Sequence, residues 1–180
     1  MQELDDITLK RALKGDHKAF KMLYNHYAPF LWKVLFPLSN RDMQLAQELT
    51  HDTFVKAYTS SAQFKGEAAY STWLYRIAYT TALARFRKVR HTAPGIEPDL
   101  LAGELRSDTF DTRELAAQIL SSLNGEDRFL LVSREIDALS FDDLAHITGK
   151  NAGALRTRLH RIKETIRNSF TRPEPVATGA

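Results

Sequence analysis

Seven lysines and arginines lie between Lys150 and Arg172, opposed by one acid, Glu164. A second basic run, Arg76, Arg85, Arg87, Lys88 and Arg90, falls within residues 71–91, which hold no Asp or Glu. Cations at this density suit contact with a polyanion, the plainer alternative being that they solvate helix faces. Between the two blocks, residues 92–149 carry twelve acids and four basic residues, so the overall charge of +3 conceals two separate basic surfaces. Residues suited to bond-breaking chemistry are not assembled in the same way. There is no cysteine, and His17, His26, His51, His91, His146 and His160 do not fall at metal-protease spacing. Phosphate-loop and nucleophile-elbow patterns are missing too. We therefore expect a non-enzymatic binding protein without metal or cofactor.

Helices must position these cations. In the stretch Ser140 to Leu155, Ser140 and Asp143 form a capping-box pattern, Ala145 is small enough for close helix approach, and Gly149 sits where the chain must turn. This is the anatomy of a helix-turn-helix. Beyond it Leu155, Leu159, Ile162 and Ile166 lie within about 60° of one another on a helix. The opposite face carries Gly153, Thr157, His160, Arg161 and Glu164, flanked by Arg156 and Lys163. Such a helix can pack on a scaffold while Arg, Thr and His reach base edges in a major groove. Lys150 and Asn151 open the helix, and Arg158, nearer the packed stripe, is placed to reach a phosphate.

Upstream, apolar residues recur from Phe20 through Leu23, Tyr27, Leu31, Val34 and Leu38, predicting a long helix with Asp16 as N-cap and a kink at Pro29. A short helix over 5–14, a helix from about Asp42 to Tyr58, a loop at Phe64–Glu67 and a helix from Ser71 or Thr72 complete this module. Residues 92–110 are poor in large apolar residues and predict a flexible linker. Four further helices are expected near 111–122, 126–137, 140–147 and 151–169, with a disordered tail at 172–180. The fold class is all-α: an N-terminal helical bundle over 1–91 and a C-terminal four-helix domain over 111–171. The acidic N-terminus lacks a leader's apolar core, and no run approaches membrane-spanning length, so a cytoplasmic location without direct membrane insertion is expected.

The run Gly15 to Tyr27, then Ala46-Gln47-Glu48-Leu49-Thr50-His51-Asp52-Thr53-Phe54, then Phe64-Lys65-Gly66 with Ser71-Thr72-Trp73-Leu74-Tyr75-Arg76, then Leu155-Arg156-Thr157-Arg158-Leu159-His160-Arg161, follow in order. Together they resemble the bacterial RNA polymerase sigma factors of the extracytoplasmic-function (ECF) type, from about Leu9 to Phe170. The resemblance implies a promoter-specific initiation factor whose partners are core RNA polymerase, promoter DNA and an anti-sigma factor. By the same resemblance, residues 1–91 dock on the clamp helices of the largest polymerase subunit and open the −10 element. Residues 111–171 bind the flap of the second subunit and recognise the −35 element. Glu48, Leu49, Asp52, Thr53 and Lys56 fall on the docking helix. Lys65, Tyr70, Ser71, Trp73, Arg76, Thr80, Arg85, Arg87 and Lys88 fall on the −10 and melting segment, with Tyr70 the stacking platform at the loop edge. Trp73 and Ile77 also fit ordinary core positions. Thr80 and Ala84 replace residues common in that helix, His51 a common Gln, and Asn124 a common Pro. The alternative is a conventional helix-turn-helix repressor or activator with an N-terminal sensor or dimerisation module.

Overall fold

The computed structural model describes residues 3–92 and 112–171, all of whose regular structure is helical. The eight α-helices are α1 (Asp6–Leu13), α2 (His17–Leu38), α3 (Met43–Thr59), α4 (Tyr70–Thr92), α5 (Thr112–Ser122), α6 (Gly125–Glu135), α7 (Phe141–Thr148) and α8 (Ala152–Thr171). One 3-10 turn, Ser61–Gln63, follows α3. The linker and tail expected at 92–110 and 172–180 lie, apart from Thr92, outside the described residues.

Side-chain caps set most of the helix starts. Asp5 accepts the Thr8 N–H, Asp16 those of Lys18 and Ala19, Asp42 that of Leu45, and Asn124 those of Glu126 and Asp127. Asn124 is thus a cap, which gives it a structural role at a position where Pro is common in the family it resembles. Gly15, at φ +88°, turns the chain from α1 into α2. α2 continues through Pro29 as one 22-residue helix. Tyr27, Leu31, Val34 and Leu35 keep its inward face buried on either side of that residue.

α4 begins at Tyr70, one or two residues before the expected cap at Ser71 or Thr72. The capping group comes from far away in the chain: the Glu3 carboxylate accepts the Ser71 backbone N–H at 3.4 Å. No local pattern could signal that partner.

The two helical groups pack against each other over one continuous core. The rings of Tyr79 on α4 and Phe129 on α6 lie 4.6 Å apart. The Arg128 guanidinium donates to the Leu38 carbonyl at 2.9 Å, and also to those of Ser121 and Leu123. The Tyr75 hydroxyl meets the Phe30 carbonyl and the Asp137 carboxylate. Burial, then the hydrogen bond to Asp137, raises the Tyr75 hydroxyl well above its ordinary pKa and keeps it a donor. Gly125 permits the approach, because a Cβ there would stand 2.9 Å from Phe86 Cδ2.

Candidate nucleic-acid interface

α7, the turn at Gly149 and α8 form the expected helix-turn-helix. Ser140 and Asp143 make a complete capping box, and Gly149 ends α7 in the left-handed conformation at φ +71°. Asn151 opens α8 as its cap, its Oδ1 accepting the N–H groups of Gly153 at 2.8 Å and Ala154 at 3.3 Å. Leu155, Leu159 and Ile162 are buried, with Ile166 packed beside them. Gly153, Arg156, Thr157, His160 and Arg161 are exposed.

The cations of this helix are in different states. Arg156 lies over the Phe141 ring at 4.9 Å, as does Arg134. Arg158 is turned inward, donating to the Asp127 carboxylate at 2.5 Å and to Glu126 at 2.8 Å. Lys150 holds Glu126 at 2.5 Å, and Lys163 holds Glu135 at 2.7 Å. Hydrogen bonding from Lys150, opposed by burial, lowers the Glu126 pKa, and Arg158 adds to the lowering. Arg158 is partly desolvated, yet its carboxylate partners hold its pKa above the ordinary value. Arg158, expected at a phosphate, is paired with carboxylates in this structure, and its guanidinium joins α8 to the start of α6.

The second basic surface runs along α4. Lys65, Arg76, Thr80, Arg85, Arg87 and Lys88 are exposed. Arg85 meets Glu48 at 3.3 Å, and the Thr80 hydroxyl donates to the Arg76 and Ile77 carbonyls. Tyr79, Thr80, Leu83, Ala84 and Arg87 form one wall of a cleft of about 390 Å³ whose other wall is Glu126, Thr148 and Lys150. Tyr70 and Ser71 are not at an open loop edge. Tyr70 is only 2% exposed, with its ring 5.3 Å from those of Tyr27 and Phe64 and 5.4 Å from Trp73. Trp73 is half-buried, and Ser71 is buried.

On α3, Glu48, Asp52 and Lys56 are exposed, and the Lys56 ammonium donates to the Thr81 hydroxyl at 3.1 Å. Leu49 and Thr53 face the core at 1% and 0% exposure, so neither can touch a partner in this conformation. Val55 and Tyr58 are exposed apolar residues on the same helix. The spacing 48, 52, 55 marks one helical stripe, a signal present in the sequence but masked by the buried stripe interleaved with it. Among the described residues no cluster of His, Asp and Glu could hold a metal ion, and no helix is long and apolar enough to cross a membrane.

Residues 23–92 match the family model described as Sigma-70 region 2. The chain is 30% identical to the ECF RNA polymerase sigma-E factor of Haemophilus influenzae, over 94% of this chain and 96% of that protein. It is 28% identical to the ECF RNA polymerase sigma-E factor of Escherichia coli, over 93% and 94% respectively. Two solved structures share the fold at a TM-score of 0.66. CnrH in complex with the cytosolic domain of CnrY is 20% identical, covering 91% of this chain and 95% of that one. The sigma factor RpoE in complex with the anti-sigma factor NepR from Bartonella quintana is 21% identical, covering 85% and 97%. A helix-turn-helix with an outward basic face, a second basic helix and a likeness to sigma-E factors along nearly the whole chain converge: the chain belongs to the ECF RNA polymerase sigma factors.

Proposed function

We propose that this chain binds core RNA polymerase and directs initiation at a promoter read in two places. Residues 1–91 carry the docking helix and the −10 and melting segment, and residues 111–171 carry the −35 reader. The carrying observation is the two-sided character of α8, whose Leu155, Leu159 and Ile162 are buried while Arg156, Thr157, His160 and Arg161 face outward. Arg156, Thr157, His160 and Arg161 supply base contacts, and Gly153 lets the helix approach the groove closely. Lys65, Arg76, Thr80, Arg85, Arg87 and Lys88 follow the −10 region and its backbone. Glu48, Asp52 and Lys56 contact polymerase, with Val55 and Tyr58 adding apolar area beside the charges. Inhibition by an anti-sigma factor follows from the relatives: CnrH and RpoE are each solved with a protein partner, in the second case a named anti-sigma factor.

The test is transcription from the host's promoters with core polymerase and this protein alone. Specific initiation is expected. A need for another sigma factor would make it a conventional helix-turn-helix regulator instead. Glu48→Lys and Asp52→Lys should weaken capture of core polymerase without weakening duplex binding by the full chain, measured on the same preparations.

A further inference from the structure

Several cations at and beyond the turn into α8 are spent inside the protein. Lys150 and Arg158 hold Glu126, Arg158 also holds Asp127, and Lys163 holds Glu135. Arg156 is exposed and placed differently, its guanidinium carbon lying 4.9 Å from the centre of the Phe141 ring. The difference matters chemically. A carboxylate takes up a guanidinium's N–H donors and offsets its charge, whereas an aromatic face attracts the cation and leaves the donors for another acceptor.

Phe141 is itself firmly placed. It is the first residue of α7, and the capping box of Ser140 and Asp143 fixes the backbone on either side of it. Its ring is half-buried and packed against the core. Arg134 of α6 lies over the same ring at 4.9 Å and donates to the Leu139 carbonyl at 2.6 Å. Arg134 is thus tied to the backbone and half-buried, and Arg156 is the exposed cation of the two.

Ordering a long side chain at an interface costs conformational entropy, and a side chain already confined loses less of it on binding. We propose that Phe141 is a positioning residue for duplex recognition: its ring confines Arg156 on the outward face of α8, so that base preference depends on a side chain that touches no base. The proposal rests on the reading of α8 as the duplex-recognition helix. The contact is weak enough for the guanidinium to shift toward a base edge and strong enough to bias its rotamers before DNA arrives. It gives α7 a share of the specificity. It also separates Arg156, which has this platform, from Arg161, which has no ring beneath it among the described residues.

The experiment selects a preferred duplex from a random pool with the wild-type full chain, titrates variants against it, and repeats the selection with each. Phe141→Leu and Phe141→Met both remove the ring and keep an apolar side chain, and Phe141→Tyr keeps the ring. Affinity for the selected duplex should fall about twofold to fivefold in Phe141→Leu and Phe141→Met, and hold in Phe141→Tyr. Base preference should relax at the position that Arg156→Ala relaxes and hold at the position that Arg161→Ala relaxes. In the Arg156→Ala background, Phe141→Leu should bring no further loss. Nuclear magnetic relaxation should show the Arg156 Nε–H group of the wild-type protein to be more ordered than that of Arg161, and Phe141→Leu should remove the difference. Equal mobility of the two arginines in the wild type would overturn the proposal whether or not the ring variants fold. An equal loss in the Arg156→Ala background would make Phe141 a packing residue, and a gain in affinity would mean that the ring withholds Arg156 from DNA. Either result overturns the proposal, as would unchanged affinity and preference, and all three leave α8 as the reader. If the wild type selects no duplex, or Arg156→Ala changes neither affinity nor preference, Arg156 is not a base reader, and the proposal falls with that assignment.

Discussion

Arg156 and Arg158 stand two positions apart on α8, and their guanidiniums have different surroundings. Arg156 rests on the Phe141 ring and can swing from it, since a cation–π contact at an exposed site is worth about 0.5–1 kcal/mol. Arg158 is held by two carboxylates from α6. Replacing Arg156 or Arg161 by Ala should therefore weaken binding to a duplex selected from a random pool by about 1–3 kcal/mol if each reads a base. Unchanged affinity and base preference in both variants would mean that another face meets the DNA. Arg158→Ala should lower the melting temperature more than it lowers DNA affinity. The outward face of α8 was legible from the sequence because a helical period assigns it. The pairing of Arg158 was not, because Asp127 lies 31 residues away. Tyr70 was misplaced for the same reason, its ring being packed against that of Tyr27 on α2, far back in the chain.

Between elements, the turn at Gly149 and the cap at Asn124 fix how α8 sits on its module. Gly149 adopts φ +71° in open space, so Gly149→Ala meets no clash and costs only the left-handed backbone penalty, about 1–2 kcal/mol. Asn124→Ala removes an oxygen that accepts two N–H groups and should cost about 0.5–2 kcal/mol. Denaturant titration of both variants checks these values; a Gly149→Ala protein as stable as wild type would show that the turn has an alternative conformation. Helix existence and most boundaries were legible, since Asp16, Asp42, Ser140 and Gly149 announce themselves by residue type and position. The start of α4 was missed because its cap is tertiary, and Asn124 because its residue type was weighed against a common Pro rather than as a cap.

At the scale of the molecule, the contacts between α4 and α6 join what the sequence presents as two modules. The sequence offers no sign of them: Tyr79, Tyr75 and Phe129 look like core residues of their own helices, and each is core of both. Asp137→Ala together with Tyr79→Ala removes a hydrogen-bond partner and a ring from the seam without touching a helix cap. Small-angle scattering should then give a radius of gyration above that of the wild-type protein, against about 16 Å for a compact chain of this length. An unchanged radius would show that other contacts hold the modules. The acids of α6 have a further effect, on how binding responds to salt. A cation that meets a phosphate releases a small ion from the DNA, and each such exchange steepens the fall of log K with log salt by about 0.9. Lys150, Arg158 and Lys163 already hold Glu126 or Glu135, so the protein supplies part of its own counterion atmosphere. Its salt dependence should be shallower than the basic residues of 150–171 suggest, and Glu126→Gln, which releases Lys150 while Asp127 still holds Arg158, should steepen it by about one unit.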